Sequence, residues 1–141
     1  MRHNKLSLFV HLIWSTWDRV PLIHESIERP LHRMLQQQAE THGCKVLAIG
    51  GVADHVHLLL EFPPTIDLST LVKNIKGPSS LFANTELGLE GSFKWQAAYA
   101  AFSVSRWDVT KVQFYIERQK EHHAAGTVKK ELELDEPFAS E

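Results

Sequence analysis

A chain of 141 residues is long enough to bury one core and too short for two independently stable ones, so one domain with one site is expected. Hydrophobic residues at 43% and charged residues at 23% exclude an intrinsically disordered chain, and the longest apolar runs, such as 12–14 and 56–60, fall far short of the roughly 20 residues that cross a bilayer. The formal net charge of −2 hides an asymmetry: five of the 17 acidic residues (Glu131, Glu133, Asp135, Glu136, Glu141) lie in the last eleven positions, leaving 15 basic against 12 acidic residues elsewhere, a mildly basic balance that does not by itself point to nucleic acid.

In chain order, residues 6–16 are dominated by Leu, Phe, Val, Ile and Trp and run into Asp18-Arg19-Val20-Pro21, which predicts a buried strand and a loop. Over 26–42 the apolar positions Ile27, Leu31, Met34, Leu35 and Ala39 recur at helical spacing; Pro30 fits if it lies in the first turn, and Gly43 supplies a stop. Residues 44–50 and 53–62 read as a hairpin with a break at Gly50-Gly51. Asp67 can cap a second helix carrying Leu68, Leu71, Val72 and Ile75, which Gly77-Pro78 is expected to interrupt before 79–85. A fourth strand follows at 99–105, then a final helix over 109–123 with Asp108 as its candidate cap. The order β-α-β-β-α-β-α predicts an α+β fold: a ferredoxin-like split β-α-β antiparallel sheet with helices on one face and an additional C-terminal helix. We expect residues 1–130 to form the single domain and residues 131–141 to be a poorly ordered acidic tail. The lone Cys44 and an amino terminus without a cleavable leader pattern lead to the expectation of a cytoplasmic protein, nucleoid-associated in use, with no membrane partner.

Two constellations carry chemistry. In His55-Val56-His57 strand alternation turns both imidazoles to one face and Val56 to the other, which makes half of a metal site or simply a polar sheet face. In Tyr115-Ile116-Glu117-Arg118-Gln119 a helix holds a phenol and an amide one turn apart, either for a common substrate or for half-buried packing.

Both constellations stand in the order and setting of a known family. Together with His11-Leu12-Ile13-Trp14, Arg19 and Pro21, Ala53-Asp54 before the His pair, Ile75-Lys76-Gly77-Pro78-Ser79-Ser80, and the segment from Trp95-Gln96 through Tyr99 to Phe102-Ser103-Val104-Ser105, the sequence resembles the HUH-type single-tyrosine transposases of small bacterial insertion sequences. The resemblance implies a transposase that cleaves and rejoins single-stranded DNA bearing hairpin ends through a 5′-phosphotyrosine. It also implies Tyr115 as nucleophile, His55, His57 and Gln119 as metal ligands, and a homodimer in which the tyrosine helix completes the partner's site. Two nitrogens and an amide oxygen suit Mg2+ or Mn2+, whereas a closed zinc site would need more thiolate than Cys44 supplies.

Lys73, Lys76 and Ser79 could hold phosphates near the Gly77-Pro78 break, and Arg106, Lys111, Arg118 and Lys120 could line a strand channel; solvated helix faces explain the same residues. Trp17, Trp95 and Trp107 could stack bases or fill the core. His122 and His123 read as solvated caps at a helix end. Asp54 could orient an imidazole, although strand alternation would point it away from His55. The alternatives are a nicking or replication-initiation enzyme of the same chemistry, a non-catalytic hairpin-binding relative, and an unrelated ferredoxin-like regulatory domain.

Overall fold

The computed structural model describes residues 3–134. In chain order the elements are β1 (Phe9–Ser15), α1 (Glu25–Thr41), β2 (Lys45–Val52), β3 (His55–Glu61), α2 (Leu68–Glu86), β4 (Ala100–Val104), α3 (Val109–Glu117) and α4 (Gln119–Ala125), with short 3-10 turns at Trp17–Arg19 and Lys130–Leu132. The strands make one antiparallel sheet in the order β2-β3-β1-β4, the split β-α-β plan that the element order predicts. Among the described residues no helix is long and apolar enough to cross a membrane.

Alternation divides the sheet between two layers. Leu12 and Trp14 of β1 and Val56, Leu58 and Leu60 of β3 meet Leu31 and Leu35 of α1 and Leu71 and Ile75 of α2 in the main core. Leu59 points the other way and packs with Ala48, Val104, Val112 and Ile116 beneath α3. Because helices cover both faces, six of the seven β3 residues are buried, His55 and His57 among them.

Four local expectations need correction, each for a tertiary reason. Gly50-Gly51 is not a break: it lies within β2, and the hairpin turn falls at residues 53–54. A Cβ at Gly50 would stand 2.1 Å from the Ile116 carbonyl oxygen, so the missing side chain is what lets α3 lie directly on the sheet; at Gly51 a Cβ would meet the His55 carbonyl oxygen at 2.3 Å. Gly77-Pro78 does not interrupt α2. Pro78 removes one helical N–H, at a typical cost of about 3 kcal/mol, but the same helix buries Leu71, Val72 and Ile75, each contributing about 1.5–3 kcal/mol, and the Ser79 hydroxyl donates to the Lys76 carbonyl at 3.0 Å. Pro30 sits in the second turn of α1, since that helix begins at Glu25. The final helix is two: Arg118 departs from helical geometry (φ −112°, ψ 27°), and no glycine or proline marks the place. Asp108 does occupy the cap position of α3, without a side-chain capping bond, whereas Asp67 caps α2 by accepting from the Thr70 N–H at 2.8 Å.

Gly50→Ala is therefore expected to lift α3 from β2, raising hydrogen-exchange rates of the α3 amides by roughly tenfold or more while those of α1 and α2 stay unchanged. Gly77→Ala, where an added methyl would touch nothing, is the control that should leave α3 protected. Unaltered α3 protection in Gly50→Ala would show that the close approach does not hold the helix in place.

Candidate active site

Strand β3 supplies two buried imidazoles on one face, and the neighbouring elements fix one nitrogen of each. His55 Nδ1 donates to Asp54 Oδ1 at 2.7 Å, and His57 Nδ1 lies 2.8 Å from Nε2 of His11, a fully buried residue of the adjacent strand β1. The remaining nitrogens converge. His55 Nε2 lies 3.2 Å from Gln119 Oε1 and 3.4 Å from Glu133 Oε1, and His57 Nε2 lies 3.3 Å from that same Glu133 oxygen. His123 Nε2 reaches Gln119 Oε1 at 3.1 Å.

Helix α3 brings Tyr115 into this cluster. Its hydroxyl donates to Glu133 Oε2 in a short hydrogen bond and accepts from the Lys129 backbone N–H at 3.0 Å. Gln119 Nε2 donates to the same carboxylate oxygen at 3.1 Å, so phenol and amide share one partner across the break at Arg118. The Tyr115 ring stacks on His122, with centroids 4.6 Å apart.

Asp54 is held from outside by Arg19, whose Nε donates to Asp54 Oδ2 at 3.2 Å. The supporting turn is strained: Asp18 (φ 53°) and Arg19 (φ 54°) are consecutive non-glycine residues in the left-handed region, each at a typical cost of about 1 kcal/mol. Alternation misleads at Asp54 because that residue lies in the hairpin turn, not in the strand, which frees its carboxylate to face His55.

The electrostatics follow from burial and these partners. Burial disfavours charge on His55, yet the carboxylates of Asp54 and Glu133 outweigh it and raise its pKa to about 9. His57 lacks so favourable a surround, and burial lowers its pKa. His11 is pushed down to about 3 by burial and by His57. Burial and then Glu133 raise the Tyr115 phenol to about 12, so at neutral pH the phenol keeps its proton.

The donor set fits a divalent cation. His57 Nε2 is buried without a well-directed hydrogen bond despite the nearby carboxylate, and His55, His57 and Glu133 each place a ligand atom within 4.8 Å of the others. Gln119 Oε1 adds an amide oxygen beside His55. Two imidazoles and hard oxygens suit Mg2+ or Mn2+.

Tyr115, His55, His57 and Gln119, the four residues taken from sequence, thus stand together. Glu133 escaped because it belongs to the acidic tail; its side chain is buried, while residues 135–141 lie outside the described part of the chain. His122 and His123 are not solvated caps: one stacks on the phenol and the other bonds to Gln119. Of the basic residues, Lys76 turns inward, its Nζ donating to the carbonyls of Gln96, Ala97 and Ala98, and Ser79 is buried with its Oγ accepting from Trp95 Nε1. Lys120 pairs with Glu28, Arg106 lies over the Trp107 ring and Arg118 over the Phe114 ring; Lys73 and Lys111 are exposed. Trp95 is core, whereas Trp17 and Trp107 are exposed.

The family model described as transposase, IS200 like, matches residues 4–119. The transposases of insertion sequence IS200 from Salmonella typhimurium and Salmonella typhi are each 26% identical over 131 residues, covering 89% of this chain and 86% of theirs. A crystal structure of a putative transposase from Deinococcus radiodurans superimposes with a TM-score of 0.67 at 29% identity, covering 84% of this chain and 95% of that one. A REP-associated tyrosine transposase, solved bound to a REP hairpin, has the same fold (TM-score 0.64, 14% identity, 91% and 74% coverage).

Proposed function

The chain belongs to the IS200-like transposase family, a family of DNA strand transferases, and on that premise we propose that it cleaves and rejoins single-stranded DNA through a 5′-phosphotyrosine at Tyr115. The observation that carries this reading is the junction of the Tyr115 hydroxyl, the Glu133 carboxylate and the two His Nε2 atoms in one buried cluster.

Tyr115 Oη attacks the scissile phosphorus; the new O–P bond forms as the P–O3′ bond breaks, and the departing 3′-oxygen takes a proton from water. Glu133 Oε2 already accepts the phenolic hydrogen bond and relays that proton to water during attack, because burial is outweighed by bonds from His55 and His57 that hold the carboxylate well below the usual range. His55 Nε2, His57 Nε2 and Gln119 Oε1, with Glu133 Oε1 as a further oxygen, would hold Mg2+ or Mn2+, which when bound supplies charge to the phosphate and the leaving oxygen. The ester retains the energy of the broken bond. A second DNA 3′-hydroxyl can therefore reverse the step: its proton passes to water as its oxygen bonds phosphorus, the P–O bond to Tyr115 breaks, and the phenolate regains a proton from water through Glu133, which joins strands without a nucleotide cofactor. The hairpin bound to the REP-associated relative supports hairpin ends as substrate. Lys73, Arg106, Lys111, Arg118 and Lys120 are the candidate phosphate contacts, and Lys76 and Ser79 act indirectly by holding the 95–98 loop against α2. The domain comprises residues 1–130, completed at its site by Glu133.

We further propose a homodimer in which α3 and α4 dock on the partner's sheet through the contacts they make here within one chain. The segment joining β4 to α3 is exposed, including Trp107, and α3 seats on β2 through a surface that any copy presents. End-labelled single-stranded DNA with a hairpin should be cut with Mn2+, leaving protein on the 5′ end. Mixing Tyr115→Phe with His57→Ala chains should restore up to about half of one dimer's sites, since each defect lies on a different half of the composite site. Absence of cleavage by the wild-type chain would refute the catalytic reading, and a mixture that stays inactive would refute the exchanged dimer alone.

A further inference from the structure

We infer that His11 is a positioning residue for the metal site, accepting the Nδ1 proton of His57 on its own Nε2 and thereby leaving the His57 Nε2 lone pair for a cation. The inference rests on the reading of His57 as a metal ligand.

A neutral imidazole carries one N–H and one lone pair, so ligation through His57 Nε2 requires its proton on Nδ1. Among the described residues the side chain bonded to that nitrogen is His11, at 2.8 Å, and both rings are fully buried. In the β1–β3 register His57 faces Ile13 and Leu59 faces His11, so the two imidazoles are diagonal neighbours on one face of the sheet, with ring centroids 5.1 Å apart. Their tautomers are coupled. With the His11 proton on Nε2, His11 donates to His57 Nδ1, and His57 then carries its hydrogen on Nε2, 3.3 Å from Glu133 Oε1, where it blocks ligation. With the proton on His11 Nδ1, the bond runs the other way and His57 Nε2 is open.

The second arrangement leaves His11 Nδ1–H without an acceptor, for that nitrogen is buried and unpartnered. His11 is consequently not satisfied for its own sake. Among the described residues its Nδ1 meets no partner, and its Nε2 meets His57. His55 differs, because the Asp54 carboxylate accepts from its Nδ1 whichever way the neighbours are arranged. The Nδ1 proton of His55 is thus fixed by a carboxylate, and that of His57 is set by His11.

The test uses the full-length protein and Mn2+ alone, measuring affinity by calorimetry, with thermal unfolding confirming that each variant is folded. His11→Phe keeps a ring but offers no acceptor, and should weaken Mn2+ binding by about 10–100-fold. His11→Gln can bring an amide oxygen to the position of Nε2 and should restore binding to within about threefold of wild type. Nitrogen NMR of the Mg2+-loaded wild type should find the His57 proton on Nδ1. Equal Mn2+ affinity in wild type and His11→Phe, failure of Gln to rescue, or a His57 Nε2–H in the Mg2+-loaded protein would each overturn the inference; if His11→Phe fails to fold, the Gln variant and the NMR measurement decide. His57→Ala separates the two levels: if it binds Mn2+ as well as wild type, the metal reading itself falls, whereas if it binds poorly and His11→Phe binds normally, only the role of His11 is lost.

Discussion

Tyr115→Phe is expected to abolish the covalent DNA adduct, a loss on the order of 10⁴-fold or more in cleavage, while hairpin binding changes little. The hydroxyl removed is the only part of the side chain that reaches Glu133 and the Lys129 N–H; the ring, packed on His122, is retained. A phenylalanine therefore preserves the packing of α3 and deletes the hydroxyl alone. Tyr99 is the other tyrosine in the chain, and it packs at the edge of the main core beneath α2, on the layer away from the His pair. Labelled single-stranded DNA, denaturing gels and a filter-binding assay on the same preparation decide the matter. A 5′-linked adduct persisting in the Phe variant would transfer the nucleophile elsewhere.

Chelation is expected to stop cleavage while moving the thermal midpoint by no more than a few degrees. The main core consists of apolar residues from both helices and the sheet and includes none of the candidate ligands, unlike the core of a small structural zinc domain. His57→Ala should cost about 10³-fold in activity, since it removes a strand-fixed imidazole that no neighbour can replace. Gln119→Ala should cost about tenfold to a hundredfold, because Glu133 Oε1, already 3.4 Å from His55 Nε2, or water can stand in for an amide oxygen. Binding of Mn2+ should strengthen as pH rises toward 9, as His55 must shed the proton that Asp54 and Glu133 help it to hold. The anionic Glu133 should also make the site tighter than three neutral ligands alone would. Full activity in excess chelator, or His57→Ala no worse than Gln119→Ala, would contradict this assignment.

What was legible in the sequence divides along physical lines. The strand pattern of His55-Val56-His57 and the helical patterns of α1 and α2 survive in the structure because each is a local periodicity with one buried face. The sheet order followed from the element order, and the family from motifs spread along most of the chain. Punctuation residues misled. Gly50 looked like a turn because glycine usually marks one, yet here it is required by a helix crossing from another part of the chain; Pro78 looked like a stop, yet packing of the surrounding helix outweighs its lost hydrogen bond. Glu133 was invisible for a different reason. Composition placed it in a run of charge, and only the return of the chain over Tyr115 after α4 reveals that one carboxylate of that run is buried. His11 was quoted only as part of a motif, since nothing in β1 alone says that its imidazole will meet another from β3.

The bonds that make the site join residues distant in the chain: His11 to His57 across 46 positions, His55 to Gln119 across 64, and Tyr115 to Glu133 across 18. Contacts of such separation form slowly and late, after loop-closure entropy has been overcome. A polypeptide emerging from the ribosome has the segments of its sheet and both main helices before residue 133 has been synthesised, so the Tyr115–Glu133 contact can form only after Glu133 has been added. The cluster around Tyr115 is therefore completed later than the sheet that carries the two histidines.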